Sequence, residues 1–279
     1  MFWCVCNVFW CINNVHGVNC TLTGVYGTLV CLFMYSEKTF SALKFLANFP
    51  LKNNKMSNII VLGAGMVGSA MAIDLSKKHN VTLTDLNQNV LDKVKEKCRV
   101  LNIEQLDVTN KVNLGKAIIK HDLVICAVPG FLGFKTLKTI IENERNVIDI
   151  SFFPENSLDL DALAKEKNVT AIVDCGVAPG MDNIILGYYN EKLQLTDFEC
   201  LVGGLPKIKK WPFNYKAPFS PVDVIEEYTR PARYVENGHI VVKEALSDVE
   251  LVNFEAVGTL ESFNSDGLRS IIFTMPHIP

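Results

Sequence analysis

Asn58-Ile59-Ile60-Val61-Leu62-Gly63-Ala64-Gly65-Met66-Val67-Gly68 is the stretch that decides the fold. Its first five residues form an apolar, β-branched run of the kind a strand buried on both faces requires. Three glycines at G-x-G-x-x-G spacing follow at once, and Val67, Ala70, Met71 and Leu75 then fall on one face of a helix. Strand, tight turn and helix, in that order, is the setting in which the glycine pattern carries meaning. Gly63 permits the turn, Gly65 lets a ligand approach the backbone, and Gly68 lets the helix pack on the strand. A helix N-terminus offers N–H groups and partial positive charge, which suit a pyrophosphate. Gly63, Ala64, Gly65, Met66, Val67 and Gly68 are therefore the expected cradle of a dinucleotide.

Downstream the same alternation repeats. Strands are expected at Val81–Thr84, Ile103–Leu106, Leu123–Val128, Asn146–Ile150 and Thr170–Asp174, with helices between them, including Gln88–Arg99 and Val112–Lys120. Six strands joined by helices imply an α/β fold, a doubly wound parallel sheet with right-handed crossovers. Asp85 lies 22 positions after the first glycine, at the tip of the second strand. A carboxylate there accepts hydrogen bonds from ribose hydroxyls and repels a 2′-phosphate, and no Arg or Lys follows before Lys93. NAD is thus expected rather than NADP. Asp85 could equally cap the helix that begins at Gln88, and the two roles are compatible. Asp107 and Val108, after the third strand, are expected beside the adenine; Ala127, Val128 and Pro129, after the fourth, along the path to the nicotinamide.

Upstream, residues 1–55 read differently. They hold five of the nine cysteines and four lysines against one glutamate, a net +3, so that residues 56–279 carry −6 of the overall −3. No useful periodicity runs through them, and no basic residue precedes Lys38, as a secretory signal would need. The apolar run Thr21–Tyr35 is short for a membrane span. The segment is expected to be a non-domain extension with Met56 as the natural start. The acidic balance argues against binding nucleic acid through phosphate neutralisation. No membrane association is expected for 56–279. Cys98, Cys126, Cys175 and Cys200 are far apart with no ligand spacing, so no metal is expected and a reducing, cytoplasmic compartment is.

From about Gly176 the alternation stops. Phe198–Val202, Tyr234–Val235, Ile240–Val242 and Val252–Ala256 read as strands of a mixed α+β substrate domain, with Glu236-Asn237-Gly238-His239 as a turn. Domains are expected at 56–177 and 178–279, the second truncated after Met275-Pro276-His277-Ile278-Pro279. Gly176, Pro179 and Gly180 sit at the carboxyl end of the sixth strand, where open α/β sheets place ligands. The stretch Phe219–Arg233 contains Tyr228, Arg230 and Arg233, and arginine binds carboxylates bidentately. Those arginines could instead pair with Glu226 and Glu227 on a solvated face. The five histidines have no partners at catalytic spacing, and Asp174, ending a strand at the ligand edge, is the best candidate for a base.

At these residues the chain resembles the saccharopine dehydrogenase family, most closely the branch holding lysine 6-dehydrogenase. The resemblance rests on Val61–Gly68, Asp174–Met181, Val202-Gly203-Gly204-Leu205-Pro206, Phe219–Ala232, Gly258–Phe263 and Ser265–Arg269. It spans 56–273 and none of 1–55. It implies a two-domain, homo-oligomeric oxidoreductase acting on a C–N bond of lysine or a lysine-derived amino acid, with NAD or NADP as hydride acceptor. Arg230 or Arg233 would hold the α-carboxylate, and Gly176–Gly180 would wall the pocket. The family's chain closes on a basic, aromatic segment that does not occur here. Two alternatives accompany this reading: an NADP-linked saccharopine reductase, which Asp85 argues against, and a dinucleotide-binding sensor or structural protein without turnover.

Overall fold

The computed structural model describes residues 56–206, 208, 210–212, 215–217, 219–254 and 257–278, together with three short strands nearer the N-terminus. Those strands, β1 (Asn7–Ile12), β2 (Cys20–Val25) and β3 (Val30–Leu32), form an antiparallel sheet in the order β1-β2-β3. The run suspected as a span therefore contains two strands. No helix among the described residues is long and apolar enough to cross a membrane. The rest of the 1–55 expectation, including the start at Met56, lies outside the described residues.

Six strands make the central sheet: β4 (Asn58–Leu62), β5 (Asn80–Asp85), β6 (Asn102–Gln105), β7 (Leu123–Cys126), β8 (Val147–Asp149) and β9 (Ala171–Ile172). All their pairings are parallel, and the order is β6-β5-β4-β7-β8-β9. The order reverses between β4 and β7, the switch point where such sheets bind ligands. Helices α1 (Met66–Leu75), α2 (Gln88–Lys97), α3 (Lys111–Ile118), α4 (Gly130–Glu142) and α5 (Asp161–Glu166) supply the crossovers, α5 preceded by a 3₁₀ turn at Ser157–Leu160.

The unbroken apolar run of β4 follows from burial on both faces. Ile60 and Leu62 join Val124, Cys126, Leu114, Ile118, Leu137 and Ile140 in one core. Ile59 and Val61 join Val81, Leu83, Ala72, Leu91 and Val94 in the other. Each fully buried aliphatic side chain contributes about 1.5–3 kcal/mol relative to exposure. The ninth strand is shorter than its sequence suggested. Only Ala171–Ile172 pair, and Asp174 turns out of the extended region with φ +54°.

The chain divides into two compact units, one of residues 55–181 with 219–226 and the other including 182–218 and 227–279. The division that follows the sheet falls after 181, and eight residues from far downstream are grouped with the sheet. The second unit contains most of α6 (Met181–Asn190), the hairpins β10 (Ala232–Glu236)–β11 (His239–Lys243) and β12 (Glu250–Phe254)–β13 (Gly258–Ser262), and the short α8 (Ile271–Thr274). Asn237 and Gly238 close the first hairpin with φ +52° and +77°, as a two-residue turn of the primed type demands. Leu186, Leu195, Ile271 and Ile278 form a small core. The expected strand at Phe198–Val202 is irregular; Phe198 packs against that core instead of pairing with a strand. Helix α7 (Pro221–Thr229) begins among the residues grouped with the sheet and ends among those of the second unit.

Candidate functional site

The glycine turn has the geometry its spacing requires. Gly63 sits at φ +100°, and its N–H donates to the Thr84 carbonyl at 2.9 Å. A Cβ on Gly68 would lie 2.0 Å from the Gly63 carbonyl oxygen, so only glycine lets α1 approach the turn. A Cβ on Gly65 would meet nothing within 4 Å. Its glycine is not required by packing, which is what a position reserved for close ligand approach shows. Gly65 is the N-cap of α1, and no side chain caps it. The start of that helix accordingly keeps its N–H groups for an anion. Ala64 is buried, Met66 is exposed, and Val67 is half-buried. These observations fit a bound dinucleotide pyrophosphate at Gly63–Gly68.

Asp85 is tied to this turn. Its Oδ2 accepts from Ala64 N at 2.8 Å and its Oδ1 from Asn87 N at 2.9 Å. The helix cap is supplied by Asn87, whose side chain accepts from Asn89 N. Capping of α2 by Asp85 is thereby corrected: Asp85 braces the turn, and Asn87 caps. Asp107 is exposed and accepts from both the N–H and the hydroxyl of Thr109, which together hold its carboxyl below the usual range. Val108 packs partly on the core. Ala127 N donates to the Leu62 carbonyl at 2.9 Å, setting Ala127 and Val128 beside Gly63, and Pro129 leads directly into α4.

Asp174 and Gly176–Gly180 follow β9. Asp174 is buried with left-handed backbone, a conformation that costs a non-glycine residue free energy and is concentrated at functional sites. Gly176 N donates to the Pro179 carbonyl at 2.9 Å and Met181 N to the Gly176 carbonyl at 3.1 Å, closing a compact loop. Gly180, at φ +144°, approaches so closely that a Cβ would sit 2.1 Å from the Gly176 oxygen.

Sequence reasoning missed a second buried carboxylate at this sheet edge. Asp149, at the end of β8, is fully buried and accepts from Ser151 N at 2.8 Å and Ser151 Oγ at 3.3 Å. Cys126 Sγ lies 3.6 Å from the same hydroxyl. Burial, and after it the Asp149 charge, push the Cys126 thiol well up; Cys175 is pushed up to about 11 by burial, Asp149 and Asp174. The available signal was an acidic residue inside the apolar run Asn146–Ile150.

In the second unit, Tyr228 is half-buried, edge-on to Tyr215 at 6.3 Å and tilted against Phe263 at 5.6 Å. Burial, then Glu227, raises its hydroxyl pKa. Arg233 donates from Nε and Nη2 to the two oxygens of Asp266 at 2.8 and 2.7 Å, and Arg230 Nη1 stands 3.9 Å from the same carboxylate. Asp266 is fully buried. Arg233 thus has a distant buried aspartate as a bidentate partner, and Asp266 was missed because it lies 33 residues away. Among the described residues no group of three or more His, Cys, Asp or Glu could hold a metal ion.

Comparison with known proteins gives this arrangement its relatives. Residues 59–172 match the family model described as "Saccharopine dehydrogenase NADP binding domain", and residues 176–276 match "Saccharopine dehydrogenase C-terminal domain". The chain is 24% identical over 225 residues to the mitochondrial alpha-aminoadipic semialdehyde synthase of Rattus norvegicus, which covers 77% of this chain and 24% of that protein. It is 25% identical over 195 residues to the saccharopine dehydrogenase [NADP(+), L-glutamate-forming] of Schizosaccharomyces pombe, with 67% of this chain and 43% of that one covered. Apo saccharopine dehydrogenase (L-Glu forming) of Saccharomyces cerevisiae shares the fold, with TM-score 0.62 and 20% identity over 80% of this chain and 52% of that one. The chain therefore spans between about a quarter and half of the length of these relatives. With two models of one family matching most of its length in consecutive order, the chain belongs to the saccharopine dehydrogenase family.

Proposed function

We propose that the protein is an NAD(P)-linked oxidoreductase that moves a hydride at a carbon bearing nitrogen, on lysine or a lysine-derived amino acid. The observation that carries the cofactor half is the open approach to Gly65 at the uncapped start of α1, beside the sheet's switch point. The substrate half draws support from the relatives' names and from the arginine pair around Asp266. A bound nicotinamide would supply the hydride acceptor. The chain's residues would orient the substrate: Arg230 and Arg233 take an α-carboxylate with Tyr228 beside it, and Asp266 fixes the Arg233 fork. Within the sheet unit taken by itself, Asp174 is the proposed proton acceptor, and Gly176, Pro179 and Gly180 are the proposed substrate-contacting loop that follows it.

NAD is the proposed partner in preference to NADP, because a carboxylate at the end of the second strand of the sheet, the position of Asp85, suits ribose hydroxyls and repels a 2′-phosphate. The matched family model and the Schizosaccharomyces pombe relative are named for NADP, so the two cofactors are to be compared directly. A cytoplasmic location is proposed because the four cysteines of the main body are free thiols.

The test is a screen of lysine, saccharopine and related amino acids with NAD and NADP, following absorbance of the reduced nicotinamide. Amino-acid-dependent reduction is expected. Dinucleotide binding with no transfer to or from any of these substrates would overturn the enzymatic reading in favour of a non-catalytic binder.

A further inference from the structure

Two helices begin at the switch point of the sheet, and the structure treats their N-termini differently. Helix α1, after β4, starts at the glycine turn with no side-chain cap. Helix α4, after β7, starts at Gly130 behind Pro129, which has no hydrogen-bonding side chain to offer. A carboxylate from 93 residues downstream supplies what is missing: Gly130 N donates to Asp223 Oδ1 at 2.9 Å. Asp223 is 7% exposed and lies in the first turn of α7, within the segment 219–226 that groups with the sheet unit. Gly130 is closed in from both sides, because a Cβ there would stand 2.2 Å from the Phe152 carbonyl oxygen and 3.0 Å from Asp223 Oδ1.

A helix N-terminus attracts anions through its N–H groups and its dipole. With both starts open, a pyrophosphate at this switch point would have two seats. The Asp223 carboxylate fills the second with a fixed negative charge and consumes the Gly130 N–H. Gly130, which it holds, directly follows the turn Ala127-Val128-Pro129, and Ala127 and Val128 lie beside Gly63. We infer that Asp223 is a positioning residue of the dinucleotide site: it clamps the β7–α4 turn and reserves the start of α1 for the pyrophosphate. This rests on the proposed binding of a dinucleotide.

The experiment measures the Kd of NADH and of NADPH by nucleotide fluorescence on the full chain, for wild type, Asp223→Ala, Asp223→Asn and Asn110→Ala. Asn110 caps α3 by accepting from Asn113 N at 3.1 Å, so its removal reports the effect of losing a cap elsewhere in the same unit. Asp223→Ala is expected to raise Kd about tenfold. Asp223→Asn keeps an acceptor for Gly130 and is expected to stay within threefold. Asn110→Ala is expected to leave Kd unchanged. A folded Asp223→Ala protein with wild-type Kd overturns the inference, as does an equal loss in Asn110→Ala. Should Asp223→Ala fail to fold, Asp223→Glu displaces the carboxylate by one methylene and is expected to raise Kd several-fold; an unchanged Kd there overturns the inference too. Wild-type protein that binds neither nucleotide removes the dinucleotide reading beneath it, an outcome distinct from any difference among the variants.

Discussion

Gly63, Gly65 and Gly68 look alike in the sequence and differ in what their missing side chains permit. At Gly68 a methyl group would collide with backbone, and overpacking of that kind costs about 1–3 kcal/mol or more. Gly68→Ala is therefore expected to lower stability by about 3 kcal/mol, read as a shifted urea midpoint. At Gly65 the same methyl meets open space. Gly65→Ala should keep the wild-type midpoint and weaken dinucleotide binding at least about tenfold, or ~1.4 kcal/mol. A Gly65→Ala protein that binds normally would show that nothing approaches this backbone. Asp85 carries the second residue-scale prediction. Asp85→Asn removes the charge and keeps an oxygen for Ala64 N or Asn87 N. On the proposed role of Asp85, its ratio of NADP to NAD affinity should rise by about tenfold in calorimetric titration. An unmoved ratio would remove Asp85 from cofactor choice.

Among the elements, β4 was legible in full because both its faces are buried, which writes an uninterrupted apolar run into the sequence. The hairpin β10–β11 was legible through Asn237-Gly238, the pair that tolerates two positive φ angles. Phe198–Val202 was misread because alternating apolar residues satisfy a strand pattern without specifying a partner. Phe198 found its burial on a helix core instead. Asp174 was assigned to a strand because a residue's φ is not written in its neighbours. Ties between distant elements were equally hidden, and Arg233–Asp266 shows their energetic weight. Asp266 is fully buried while Arg233 is a quarter exposed, so removing the carboxylate takes away the bidentate acceptor of Arg233 and the negative charge beside Arg230. Asp266→Ala is expected to cost about 3–5 kcal/mol in denaturant unfolding. A loss below ~1 kcal/mol would mean that the pair behaves as an exposed one.

For the whole molecule, the buried Cys126 thiol and the half-buried Cys175 thiol at the carboxyl end of the sheet make stability depend on alkaline pH. Cys175 has its pKa raised from 9.0 to about 11, by burial first and then by Asp149 and Asp174, and Cys126 is raised as well. The folded protein thus holds these protons to higher pH than the unfolded chain does. Their contribution is fully present below pH 9.0 and is lost as pH rises toward 11. The urea midpoint is expected to fall over that window, and Cys175→Ser should flatten the fall. A wild-type midpoint that rises there, or a variant with the same slope, would contradict the assignment.

By itself the sequence determined the alternating parallel sheet and the glycine turn, because periodicity, turn chemistry and helix starts are local physics recorded within a dozen residues. Only the tertiary structure decided which Asp caps which helix and which carboxylate holds which arginine. Asp223 meets Gly130 across 93 positions and Asp266 meets Arg233 across 33, distances over which no spacing rule operates. Such pairs exist because burying a polar group without a partner costs about 1–3 kcal/mol, so the folded chain brings partners together wherever packing removes water. The opening glycines illustrate the same division. Their order announced a nucleotide turn, but the space around each one showed that Gly68 serves packing and Gly65 leaves the backbone open to a ligand.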